Sequence, residues 1–172
     1  MFDIDAGSVF AATKKRVSAD LDLEGLLPVW TTTVPVEGKA IRNIMTTLSI
    51  PGLEGRRGTF IFEARAVGTS SRALVHKGGF SVLERDHASG RALVVIDERR
   101  RPVENAVVRL GTQAFDAVDG VAVLPFASAS ENAMVAIVAD GHTSLANVDL
   151  VRQNVTFEAT FFTEASQLLQ GA

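Results

Sequence analysis

The 172-residue chain is long enough for one large domain or two of roughly 80 residues. Its 47% hydrophobic and 22% charged content is that of an ordinary folded protein, and a net charge of −3 supplies no basic field for nucleic acid or an anionic membrane. Cysteine is absent, which excludes disulfides, thiolate nucleophiles and Cys-ligated zinc and leans toward a reducing compartment such as the cytoplasm.

Met1 to Gly7 lack the basic region and long apolar run of a signal peptide, and no stretch reaches the roughly 18 apolar residues of a bilayer span. Ser8 is placed to cap a short helix from Val9 to Lys15. From Val17 the period becomes two: Val17, Ala19, Leu21 and Leu23 alternate with Ser18, Asp20, Asp22 and Glu24, which predicts a half-buried strand ending at Gly25. Residues 29–36 are β-branched, and Pro35 makes them an edge or a strand end. A further strand is expected over 41–50. The clearest strand of the first half has Phe60, Phe62, Ala64 and Ala66 on one face and Thr59, Glu63 and Arg65 on the other. Ala73–His76 and Phe80–Leu83 follow, on either side of Gly78-Gly79.

At 85–90 the pattern lapses into Arg-Asp-His-Ala-Ser-Gly, and a domain boundary is expected there. Beyond it come a β run from Leu93 to Ile96, a charged turn closed by Pro102, and a second run from Ala106 to Leu110. An Asp119-Gly120 hairpin signal and a third run, Val121–Leu124, complete the group. Runs at Ala133–Ala139 and Leu145–Leu150 flank a Gly141 turn. A last strand points Val155, Phe157, Ala159 and Phe161 inward, and 164–170 is a helical turn or the start of a linker. Such closely spaced strands and turns predict an all-β protein: two antiparallel β-sandwich domains in tandem, of immunoglobulin-like or transthyretin-like type. The expected bounds are 1–87 and 90–164, with 165–172 as a tail or linker.

Asp97, Pro102-Val103, Ala106, Val108, Asp116, Asp119-Gly120, Leu124-Pro125 and Gly141 resemble the pattern of the transthyretin-like, carboxypeptidase-regulatory-like sandwich family over residues 91–150. Three positions depart from it. Arg100 stands at the turn glycine, Asn105 at the second glycine and His142 at the late tyrosine, and Arg100 implies a different turn. The first half more faintly resembles macroglobulin-type sandwiches, which are strung in series in large multidomain proteins. That resemblance implies a scaffold without thioester chemistry, since a thioester needs cysteine.

Chemistry-bearing residues do not converge in the sequence. His76, His87 and His142 lack ligand or triad spacing, and no Gly-x-Ser-x-Gly elbow occurs. Asp3 and Asp5, or Asp116 with Asp119 and Gly120, fall short of a calcium loop, and Asp119-Gly120 reads as a hairpin turn. Arg99-Arg100-Arg101 is flanked by Asp97, Glu98 and Glu104 and reads as a solvated turn. Asn154-Val155-Thr156 matches a glycosylation sequon, usable only on the secretory route. Trp30 and Ile61 are candidates for an interaction surface.

No catalytic, cofactor or metal site is therefore expected. The favoured function is a non-enzymatic structural or protein-interaction module, a fragment of a larger multidomain chain that acts through surfaces and edge strands. Its partners would be neighbouring domains or another protein. A carbohydrate- or peptide-binding module of a secreted or surface protein is the alternative, weakened by a single Trp and no Tyr. An enzyme with a His/carboxylate site comes third.

Overall fold

The computed structural model describes residues 1–35, 45–128, 132–152 and 158. The expected final strand, including Phe157, and the 164–170 turn lie outside these residues, as does 36–44. Among the described residues every strand pair is antiparallel and one short helix forms.

Residues 1–77 form one lobe. Strand β1 (Phe2–Ile4), which the sequence did not reveal, pairs with β2 (Gly58–Ala66), and β2 pairs with β3 (Thr69–Lys77). Between β1 and β2 lies helix α1 (Ala6–Thr13). Asp5, not Ser8, is its N-cap: the carboxylate accepts from the Gly7 and Ser8 N–H groups at 2.9 and 3.2 Å and from the Ser8 hydroxyl at 2.6 Å. An ionised carboxylate serves the exposed N–H groups of a first turn better than a hydroxyl two residues inside it. Phe2, Ile4, Ala6, Val17, Leu23 and Ile61 make the core of this lobe, with Val9, Leu21 and Leu74 packed against it.

The strand expected over 17–24 is not formed, although its burial alternates as the sequence implied. Val17 and Leu23 are buried while Ser18, Asp20, Asp22 and Glu24 are exposed. Turn bonds take the backbone: the Leu21 N–H donates to Ser18 O and the Leu26 N–H to Leu23 O. A period of two reports which side faces the core; it does not supply a neighbouring strand. No strand forms over 29–35 or 45–50 either. There the chain is pinned to its own start, with the Val29 and Trp30 N–H groups on Met1 O and the Met1 amine on Trp30 O.

The second lobe is a sandwich of two sheets. One is ordered β4-β5-β8 (Ser81–His87, Gly90–Ile96, Val121–Leu124), and the other β10-β9-β6-β7 (His142–Asp149, Asn132–Ala139, Val107–Leu110, Gln113–Asp116). Phe80, Leu93, Val95, Val108, Leu124, Val135, Ile137 and Val148 fill the space between the sheets. Each contributes about 1.5–3 kcal/mol of apolar burial. Val118 and Val121 exchange both backbone bonds around Asp119 and Gly120, whose φ angles of 52° and 77° are those of a two-residue hairpin turn.

The β4–β5 hairpin, paired from Ser81↔Ile96 to His87↔Gly90, runs straight across the divide expected between 87 and 90. Only Val82 of β4 is partly buried, and the polar surface of this edge strand imitates a linker in the sequence. The two apolar clusters part between Leu74 and Phe80, around Gly78-Gly79. Arg100 takes the left-handed conformation, with φ 61°.

Candidate interaction surface

Strand β3 is nine residues long, paired among the described residues only to β2, and exposed from Thr69 through Ala73. The turn at Val67-Gly68 joins Ala66 to Thr69, which makes those two a hydrogen-bonded pair. By alternation the N–H groups of Ser70, Arg72, Leu74 and His76 then point away from β2, toward the free edge. Unpaired backbone groups of this kind are a template for another extended chain. Strand β4 is also an edge and is exposed at all but Val82. β10 lies against α1 and β4, and β7 lies beside β8.

Beside the exposed half of this hairpin runs a groove of about 1150 Å³. Phe62, Ala64 and Ala66 line it together with Leu26, Trp30 and Leu48. The half-buried Trp30 is the one expected interaction residue that reaches this surface. Ile61 does not: it is 0% exposed, on the opposite face of β2 and inside the core. Two adjacent strand residues face opposite ways, and the lobe covers both faces of β2 at Phe60 and Ile61.

Glu63 stands beside the groove and accepts from Arg65 at 2.6 Å and Arg72 at 3.0 Å. Burial alone would raise its carboxyl, but these hydrogen bonds and charges hold it below the ordinary carboxylate range. Arg72 also donates to Leu21 O at 2.9 Å, which fastens the 17–24 segment to β3. The hairpin is thus braced by side chains, with no described strand paired to its outer edge.

The remaining candidates are dispersed. His76 meets the Thr59 hydroxyl, His87 meets Ser89, and His142 meets Ser144. Asp3 pairs with Arg56, and Asp5 is spent on the helix cap. Among the described residues no three His, Cys, Asp or Glu gather as metal ligands. Asp97 organises the arginine turn, accepting from the Arg99 and Arg101 N–H groups and the Arg101 guanidinium. Backbone bonding from Arg101 is the main cause that keeps the Asp97 carboxyl low despite its burial. Asn154 lies outside the described residues. Sequence reading missed Arg91, which is 4% exposed and donates to Asp149 O and Val151 O. Its one signal is a lone charge opening an otherwise apolar strand.

Residues 1–78 match the family model of the AbpF first immunoglobulin-like domain. That stretch ends where β3 and the first apolar cluster end, and it supports an immunoglobulin-like β-sandwich; the transthyretin-like and macroglobulin resemblances are not confirmed by it. Over 177 aligned residues the chain is 24% identical to actin-binding protein F of Dictyostelium discoideum, covering 99% of this chain and 8% of that protein. The chain therefore spans less than a tenth of that relative's length. No solved structure matches. No helix among the described residues is long and apolar enough to cross a membrane.

Proposed function

We propose that this chain is a non-enzymatic protein-interaction module, two domains of a longer protein, that captures an extended segment of its partner along β3. The outer edge of β3, unpaired among the described residues and exposed from Thr69 through Ala73, carries the reading, and the adjoining groove supports it by offering apolar surface to alternate side chains of an added strand. Gly78-Gly79 is the proposed joint between the domains, in place of 87–90. The name of the Dictyostelium relative makes filamentous actin the first partner to test.

Cosedimentation of the full chain with filamentous actin is expected to pellet it above its own background. Ser70→Pro removes an outward N–H on an exposed edge position without breaking the β2 ladder. It should weaken capture at least tenfold with an unchanged melting temperature. Equal pelleting of both proteins would refute the edge. No pelleting of either would remove actin as the partner.

A further inference from the structure

The two lobes meet along β10. Helix α1 approaches it so closely that a Cβ on Gly7 would lie 3.0 Å from Thr143 Oγ1, and Arg16 reaches Asn147 Oδ1 at 3.3 Å. From the first lobe Arg57 pairs with Asp140 at 2.9 Å and lies 5.6 Å over the Phe80 ring. The Phe80 N–H donates to Ser144 Oγ at 2.9 Å, and Ser144 Oγ is 3.3 Å from His142 Nε2. The His142 ring packs beside Phe80, with centroids 5.8 Å apart. Backbone, hydroxyl, imidazole and guanidinium are thus linked at the point where the chain passes from one lobe to the other.

We propose that this seam holds the lobes in one orientation and releases them when His142 is protonated. In the Nδ1–H tautomer of the neutral ring, which this seam would select, Ser144 receives the Phe80 N–H and gives its own hydrogen to Nε2. A proton on Nε2 turns that nitrogen into a donor. The serine hydrogen must then turn away, and a second cation enters a seam that already holds Arg57. The groups facing the ring do not cancel the added charge. Arg57 and His76 oppose it, Asp3 and Asp5 favour it, and Asp140 is already engaged by Arg57. β9 contributes no charged residue. Further along β10, Arg16 is held at Asn147, and Glu84 of β4 accepts the Asp149 N–H.

Burial first, then Arg57 and His76, lowers the His142 pKa from its ordinary 6.5. The closed seam therefore binds fewer protons than the open one. Its stabilisation is complete above the ordinary value and is lost as pH falls from there toward the depressed pKa. This device is independent of whether β3 docks a partner.

A chain without cysteine allows Val67→Cys and Val118→Cys to be spin-labelled specifically; both sites are exposed, one on each lobe. Pulsed electron–electron resonance on the full chain should give one narrow distance near about pH 7.5 and at least twice that width near about pH 5.5. His142→Gln should stay narrow at both, and His76→Gln should follow the parent. An unchanged width in the parent, or broadening that survives in His142→Gln, would overturn the proposal. A second measurement needs no substitution at the seam. The NMR titration midpoint of the His142 ring should coincide with the broadening, and a midpoint that tracks His76 or His87 instead would also overturn it.

Discussion

Replacing Arg91 by methionine should destabilise the second lobe by about 3 kcal/mol, because it strands two backbone carbonyls at the end of β10. The guanidinium donates to Asp149 O and Val151 O, both at 2.7 Å, and to Asp86 Oδ1, with Glu84 Oε2 at 3.9 Å and the Phe126 ring 6.0 Å away. Methionine keeps the apolar stem and loses all of these donors. Each charge-assisted bond is worth about 1.5–3 kcal/mol, and the carbonyls cannot be deleted along with their partner. Two effects reduce the sum. Asp86 is 40% exposed and rehydrates, and a buried cation no longer has to be desolvated. A net loss near 3 kcal/mol remains, a large share of the ~5–15 kcal/mol of a whole domain. Urea titration followed by far-UV circular dichroism reads it: with a slope of about 2 kcal/mol/M, the midpoint should fall by about 1.5 M. Trp30, the single tryptophan, lies in the first lobe, so its fluorescence reports on that lobe. Its midpoint should move less. Arg91→Lys keeps the charge but not the planar fork and should fall between parent and methionine. A midpoint shift below about 0.5 M for Arg91→Met would mean that water satisfies the carbonyls, and the reasoning would fail.

Arg100→Gly should raise stability by roughly 1 kcal/mol, read as a higher melting temperature, since a left-handed arginine is strained where glycine is not. Gly90→Ala places a Cβ against the Leu124 carbonyl oxygen and should lower the urea midpoint by 1 M or more for a loss of about 2–3 kcal/mol. An unaffected protein would restore 86–90 as a loose linker. Asp5→Ala should cost about 1 kcal/mol by removing the cap. The Ser8 hydroxyl first, then the Ser8 and Gly7 N–H groups, hold the Asp5 pKa below its usual 3.8. The cap's contribution is therefore full above that value and lost as pH falls through the depressed one, so acid melts of parent and Asp5→Ala should converge at low pH.

The sequence by itself determined the class and much of the local grammar. Alternating β-branched runs placed β2, β5, β8 and β9, and Asp119-Gly120 marked its turn, because period and turn chemistry are written in neighbouring residues. Even where the 17–24 strand failed, its alternation told which side chains are buried. Tertiary structure decided what depends on a distant partner. Whether 17–24 pairs or only packs depends on the strand beside it, and whether Ile61 faces a partner or the core depends on the loop that covers it. His87 and Gly90 read as a linker until their hairpin is seen. Arg91 shows only a charge in an apolar run, and its meaning lies in carbonyls 58 and 60 residues away. That no described strand pairs with the outer edge of β3 is likewise invisible to the sequence. A strand's own residues carry its period, but the absence of a neighbour is a property of the whole sheet.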